Sequence, residues 1–344
     1  MLIAVFFPGK GAVLILLSQT DIFYICIDKI YTMNFQQLEY IVAVDTHRNF
    51  VKAAEACFVT QATLSMMIKK IEEELEVRIF DRSRQPVKPT EAGQKIILQA
   101  RKILSEASKL KAIVYEEKAE LKGELKIGII PTLAPYLLPL FLKEFIQAYP
   151  EVKLVINEYT TDVVMHKLKT AELDAGILAT PLQDASLDEQ PLFYEKYYLY
   201  VNGKEKGFDK QYVLPKSIDI NRLWLLEEGH CMRSQILNFC ELKKKHRSEE
   251  MLNYSSGSIE TLKNMVDKNF GITIIPELAT LNFSKPQRKQ LRYFKSPQPV
   301  REISLVAHRS YIKVHLLEAF KTVLLAAIPD EMKKHQKMNV IPVH

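Results

Sequence analysis

From residue 33 onward, apolar positions recur every three or four residues. They place Leu38, Ile41 and Val42 on one face of a helix over Phe35–Thr46. A short second helix, Val51–Cys57, is built on Ala53 and Ala54 after a turn at Arg48–Asn49. Thr60 suits an N-cap, and it opens a third helix with Leu64, Ile68, Ile71 and Leu75 on one face. Small alanines at a crossing and a tight connection between the last two helices predict a helix-turn-helix. Arg78–Thr90, broken by Pro86 and Pro89, reads as a short β-wing. Thr90 then caps a long helix to about Leu121. On it Ile96, Ala100, Ile103, Ala107, Leu110 and Val114 alternate steps of four and three residues, an a/d seam that predicts pairing of two copies. Packing of the same stripe on the chain's own core is the alternative.

At Gly123 the period changes. Leu125–Ile130, Val152–Tyr159 and Ala175–Ala179 are strand-like runs separated by helical patterns over Tyr136–Ala148 and Thr161–Glu172. Such a βαβαβ series implies a mostly parallel sheet. Further strands are expected at Tyr197–Val201, Leu223–Leu226, Leu252–Tyr254, Ile272–Ile275, Leu291–Phe294 and Ile303–Ala307. Helices are expected over 231–240, Ile259–Asn269 and Ile312–Ile328. The expected fold is an N-terminal all-α winged helix-turn-helix with a long linker helix, then a C-terminal α/β regulatory domain of two lobes. The last strand and helix return to the first lobe. The boundaries read as 33–90 for the DNA-binding head, 91–122 for the linker helix, 123–330 for the regulatory domain and 331–344 for a tail.

Residues 1–32 do not continue this pattern. Their apolar runs, Ala12–Leu17 and Phe23–Ile27, fall short of the ~20 residues that span a bilayer, and neither a basic start nor a small-residue cleavage site marks a signal peptide. They are expected to be irregular, an upstream leader outside the fold, with the native protein beginning at Met33. Composition adds little: 344 residues suit two or three domains, and a net charge of +6 permits an acidic partner without requiring one. Residues 33–90 carry eight basic and eight acidic side chains, so position rather than bulk charge argues for DNA. The acids gather at 72–76, away from the start of the third helix. There Gln61, Thr63, Ser65 and Met66 would face base edges, with Lys69 and Lys70, and Arg82 and Arg84 on the wing, near phosphate.

The four cysteines include no CxxC pair, which argues against a disulfide scaffold or a structural zinc and for a reducing compartment. No metal or other cofactor is expected. Two cysteines, Cys231 and Cys240, stand nine residues apart in EEGHCMRSQILNFC. With Gly229 as N-cap, Cys231 would open a helix, where the dipole and the neighbouring His230 and Arg233 favour a thiolate. Nine helical residues separate two Cα atoms by about 13–14 Å, whereas a disulfide needs them within roughly 7 Å. The pair is either a switch that must rearrange to close or two cysteines packed as small apolar side chains. Thr132, Thr161 and Ser258 fall where ligands sit in such α/β folds, near helix N-termini, although the same positions serve as ordinary caps.

Residues 33–330 resemble the LysR-type transcriptional regulators. The likeness is carried by FVKAAEACFVTQATLSMMIKKIEEELEVRIFDR in the head, and by GIIPTLAPYLLP, LLEEGHCMRSQILNFC and SIETLKNMVDKNFGITIIPELA behind it. The cysteine motif is similar to that of the peroxide-sensing members. The resemblance implies a regulatory domain of the periplasmic-binding-protein-like kind, with Cys231 as peroxidatic and Cys240 as resolving cysteine. Thr132, Thr161, His230, Arg233 and Arg301 would lie around a peroxide pocket. It further implies double-stranded promoter DNA and hydrogen peroxide as partners, a homodimer or homotetramer, contact with RNA polymerase, a cytoplasmic location and no membrane. Ser234 stands where such sensors are expected to carry Asp, and Glu76 where the family usually has Gly, which predicts strain in the turn toward the wing. A regulator of the same family that answers a small metabolite, and a thiol peroxidase, are the other readings.

Overall fold

The computed structural model describes side chains over most of 33–113, 121–203 and 210–242, at 208, and over 256–311, 313–334 and 339–343. For 2–7, 10–17, 22–26 and parts of 108–117 it describes the backbone alone. The leader, expected to be irregular, holds β1 (Leu2–Phe7), β2 (Lys10–Leu17) and β3 (Ile22–Cys26), paired in an antiparallel meander. Short apolar runs bounded by turn residues suit strands as readily as helices.

The head forms as expected. Helix α1 (Phe35–His47) starts with an Asn34–Gln37 capping box, Asn49 caps α2 (Phe50–Ala56), and Thr60 caps α3 (Gln61–Glu74). Each cap satisfies backbone N–H groups that have no partner inside the helix. Ile41, Val44, Ala53, Leu64, Ile68 and Ile71 close a core between the helices. Strands β4 (Phe80–Asp81) and β5 (Lys88–Pro89) make the wing. The Glu72 carboxylate ties it to α3, accepting from the N–H groups of Ile79 (2.8 Å) and Phe80 (3.2 Å). Glu76 adopts φ 54°, the left-handed conformation that favours glycine, so the strain expected there is present. Thr90 accepts from the Gly93 N–H at 2.9 Å and opens α4 (Glu91–Glu117). The heptad stripe divides along this helix. Ile96, Ala100 and Ile103 pack on the head's own core, while Leu110 is 69% exposed and Ile113 is also exposed.

In the second compact unit, β6 (Gly123–Ile129), α5 (Ala134–Ala148), β7 (Val152–Glu158), α6 (Thr161–Lys169) and β8 (Ala175–Thr180) follow the expected alternation. Strand β6 runs parallel to both β7 and β8. Gly128 and Gly176 let α6 lie close on this sheet. A Cβ at the first would meet Leu173 Cδ1 at 2.7 Å, and at the second Val164 Cγ1 at 2.6 Å. Strand β9 (Leu187–Val201) follows, then β10 (Tyr212–Val213), β11 (Leu223–Trp224), α7 (Cys231–Phe239), α8 (Ile259–Asp267), β12 (Ile272–Pro276), α9 (Lys285–Arg288) and β13 (Leu291–Phe294). The chain returns through β14 (Pro299–His308) and α10 (Val314–Ala327), and closes with α11 (Asp330–Lys333) and β15 (Asn339–Val340).

The sheet order is β10-β13-β9-β14-β8-β6-β7, with β12 attached to β9 and β15 to β14. Strand β9 is three times the length read from its apolar end, Tyr197–Val201, because Asp188, Glu189, Pro191, Glu195 and Lys196 interrupt the pattern. Its first part pairs with β14 and its last residues with β12 and β13. One strand therefore serves both lobes, and each lobe has its own core. The strand expected at Leu252–Tyr254 lies outside the described residues. The segment read as a tail is part of the fold: β15 pairs parallel with β14, and Ile341 and Val343 are buried. No helix among the described residues is long and apolar enough to cross a membrane.

Candidate functional site

The site assembles from five segments far apart in sequence. Thr132 follows β6, Thr161 opens α6, Glu195 lies on β9, Cys231 opens α7 and Arg301 lies on β14. Glu195 and Arg301 are direct cross-strand partners, and both side chains are fully buried. Glu195 Oε1 accepts from Arg301 Nε at 2.7 Å and lies 2.6 Å from Nη2, while its Oε2 accepts from the Leu278 N–H at 3.1 Å. The far side of the guanidinium donates to the Thr132 hydroxyl (Nη1, 2.9 Å) and carbonyl (Nη2, 3.3 Å). Leaving either charge alone here would be costly, so each is held by the other and by backbone groups.

Cys231 is buried, and burial pushes its thiol up from the ordinary range. The Thr161 hydroxyl, the Arg301 charge and the N–H groups of Met232 and Cys231 itself pull the other way. An acidified thiol flanked by His230 and Arg233 was the expectation, and the groups bearing on Cys231 are these. Desolvation dominates, and the countering cation is Arg301, 70 residues downstream. His230 sits 3.7 Å from Glu227, and Arg233 donates to the Leu226 carbonyl at 2.8 Å, so both brace the approach to α7. His230 rather than Gly229 is the N-cap residue, and Gly229 supplies the φ of 92° that turns the chain into the helix. Ser234 is half-buried one turn beyond Cys231, on the same helix face. The Thr161 hydroxyl is buried without a nitrogen or oxygen partner, which leaves it open to the thiol or to a small ligand.

Sequence reasoning missed Glu195 and Tyr197. A lone acid inside an apolar run was the available signal. Alternation along β9 puts both on one face. Tyr197 donates to Gln235 Oε1 at 2.7 Å, and Gln235 Nε2 donates to the Ile341 carbonyl at 2.7 Å. Tyr197 also stacks on Phe239, and Phe239 meets Phe294 edge-on. The start of α7 thus packs in the first lobe's core, with Cys231, and its end in the second's, with Cys240. Cys231 and Cys240 are both free thiols. A cavity of about 580 Å³ in the second lobe, bordered by Tyr212, Asp219, Arg222 and Lys295 among others, contains none of these residues.

In the head, Gln61, Met66, Lys69 and Lys70 are exposed along α3. The Thr63 hydroxyl contacts that of Thr60 at 2.9 Å. Arg82 is engaged at home: it donates to Ser65 Oγ (3.0 Å) and Glu72 Oε2 (3.1 Å) and lies over the Phe50 ring. Arg84 pairs with Asp81 at 3.2 Å. Arg82 and Ser65 therefore also fix the wing to α3.

A helix-turn-helix head followed by a two-lobed α/β domain is the architecture of a one-component regulator. Residues 35–94 match the bacterial regulatory helix-turn-helix protein, lysR family, and residues 118–329 match the LysR substrate binding domain. The chain belongs to the LysR family. It is 36% identical over 276 residues to a hydrogen peroxide-inducible genes activator of Haemophilus influenzae, covering 80% of this chain and 90% of that protein. It is also 36% identical over 278 residues to the DNA-binding transcriptional dual regulator OxyR of Escherichia coli K12, covering 80% and 89%. Among solved structures, a full-length OxyR point mutant from Pseudomonas aeruginosa superposes with a TM-score of 0.71 at 32% identity, covering 85% of this chain and 98% of that one. An H2O2-bound OxyR mutant from Corynebacterium glutamicum superposes with a TM-score of 0.56 at 26% identity, covering 87% and 94%.

Proposed function

We propose that this protein is a DNA-binding, peroxide-responsive transcriptional regulator whose input is oxidation of Cys231 and whose output begins with a disulfide to Cys240. The observation that carries the reading is a buried thiol beside an open hydroxyl, Thr161, and the charge of Arg301, with its partner thiol at the other end of the same nine-residue helix. The Cys231 thiolate attacks one peroxide oxygen. The S–O bond forms as the O–O bond breaks, and the departing hydroxide takes a proton and leaves as water. Sulfur loses two electrons and becomes a sulfenic acid. Thr161 and the Thr132 hydroxyl, whose oxygen already accepts from Arg301, would donate to the peroxide oxygens. Cys240 then attacks the sulfenic sulfur: S–S forms, S–O breaks, and water leaves with the Cys240 proton. Helix α7 cannot close that bond intact, since its length keeps the sulfurs' backbones about 13–14 Å apart.

Closing the bond takes Cys240 out of the second lobe's core and Gln235 off the C-terminal strand, so the domain must repack. Two copies joined through the exposed Leu110 side of α4, as a homodimer or within a homotetramer, would convey that change to the spacing of two DNA-reading helices on a promoter in the cytoplasm. Each chain spends its thiols once per event, which is the stoichiometry of a sensor rather than of an enzyme. The test is a stoichiometric peroxide pulse followed by alkylation and peptide mass spectrometry. A Cys231–Cys240 disulfide accompanied by altered operator binding is expected. Operator binding that responds to small metabolites and not to peroxide would replace this reading.

A further inference from the structure

The guanidinium of Arg301 has five N–H donors, and three of them make hydrogen bonds to the described residues. Glu195 accepts from Nε and stands 2.6 Å from Nη2 as its ion-pair partner, and Thr132 accepts one bond from Nη1 and one from Nη2. Beyond these contacts, one Nη1 hydrogen remains. Its direction is fixed because Glu195 holds the opposite edge of the plane, and Glu195 is itself pinned by the Leu278 N–H. An arginine tethered only through Thr132 could turn about its side-chain torsions and take that donor away.

Glu195 does a second thing that a neutral acceptor could not. It balances the Arg301 charge within the cluster, so Cys231 lies beside a paired charge rather than a bare cation. We infer that Glu195 is a positioning residue of the sensing site, aiming the free Nη1 hydrogen of Arg301 and setting how strongly that cation acts on Cys231. The inference rests on the peroxide reading above for the meaning of the reaction, but its geometry does not. Charged and titratable groups bearing on the cluster come from several packed elements. Tyr197 lies on the same strand, Glu277 is beside Glu195, and Tyr136 on α5, which donates to Glu260 of α8, interacts with both Arg301 and Glu195. Among these, Glu195 is the acid bonded directly to Arg301.

The experiment measures two rates on the full-length protein as a function of pH: iodoacetamide alkylation of Cys231, mapped by peptide, and its oxidation by hydrogen peroxide. Glu195→Gln keeps an acceptor for Nε and removes the charge. Its alkylation midpoint should fall by about one pH unit. Glu195→Ala releases the guanidinium, and its peroxide rate at saturating pH should fall by about tenfold, the worth of one charge-assisted hydrogen bond. The double variant Glu195→Gln, Arg301→Gln removes both charges without stranding either, and its midpoint should return to the parent's or rise above it. A merely structural glutamate would lower thermal stability and leave the midpoint alone. A folded Glu195→Gln protein with the parent's midpoint overturns the inference, as does a double variant with the midpoint lowered. If the parent's Cys231 does not react with peroxide at all, the peroxide reading fails while the alkylation midpoints still decide the role of Glu195.

Discussion

The two ends of helix α7 sit in unlike surroundings. At its start, Cys231 lies among Thr161, Arg301 and two backbone N–H groups, a buried setting that opposes ionisation by desolvation and supports it by polar contacts. At its end, Cys240 packs with the apolar and aromatic core of the second lobe, beside the Tyr197–Phe239–Phe294 stack. The first setting can steady a developing negative charge and a small polar ligand, whereas the second surrounds Cys240 with apolar and aromatic side chains. On the function proposed above, the difference accounts for the order of events: a thiol that needs help to ionise but receives it would react first, and a sheltered thiol would follow when its core opens.

The largest effect should come from the thiols themselves. Cys231→Ser should slow peroxide consumption by roughly a hundredfold or more, because the thiolate is the nucleophile. Cys240→Ser should still consume one equivalent and accumulate a dimedone-trappable sulfenic acid. Stopped-flow rates with adduct mapping check both, and faster labelling of Cys240 would invert the comparison. Next, Arg301→Met would strand Glu195 in the core, at a cost of about 3–5 kcal/mol of stability. Urea denaturation reads that loss directly, and a near-neutral result would mean the carboxylate finds other partners.

Thr161→Val removes the open hydroxyl with little change of shape. Oxidation of Cys231 should slow by about tenfold. In the parent the rate should climb with pH through a midpoint above the ordinary thiol range, since burial favours the neutral form. A profile already flat by neutral pH would show that the polar contacts, not desolvation, decide the ionisation. Phe239→Leu sharpens the other end. Loss of its ring contacts should cost about 1 kcal/mol and speed disulfide closure while leaving the first oxidation unchanged, a split that single-turnover kinetics resolves. The smallest effect is expected at Gly229→Ala. Its Cβ would meet only Thr160 Cγ2 at 3.8 Å, so the cost is the strained φ alone, about 1 kcal/mol by thermal denaturation.

The head was legible from the chain because its determinants are local. Caps at Thr60 and Thr90 and apolar spacing on three helices are statements about neighbours in sequence, whereas the glycine-favouring turn at Glu76 was expected only from the likeness to the family. The heptad stripe was legible as a pattern but not as a partner. Only packing revealed that Ile96, Ala100 and Ile103 face the head's own core, leaving Leu110 to a different fate. The crossing strand β9 was half read, since a strand that changes its surroundings midway carries no single alternation.

By itself, then, the sequence determined the elements, the winged helix-turn-helix, the α/β alternation and the cysteine spacing that forbids a bond across an intact helix. What tertiary structure decided was which groups bear on Cys231. His230 and Arg233 are near Cys231 in sequence and contact Glu227 and the Leu226 carbonyl, while Thr132, Thr161, Glu195 and Arg301 come from segments up to 169 residues apart. It also decided that the last residues belong to the fold, bound through Gln235 to the cysteine helix. Helix and cap formation depends on short-range hydrogen bonds and can be read along the chain. The ionisation of a buried thiol depends on charges and dipoles across space, whose positions exist only once the sheet has brought its strands together.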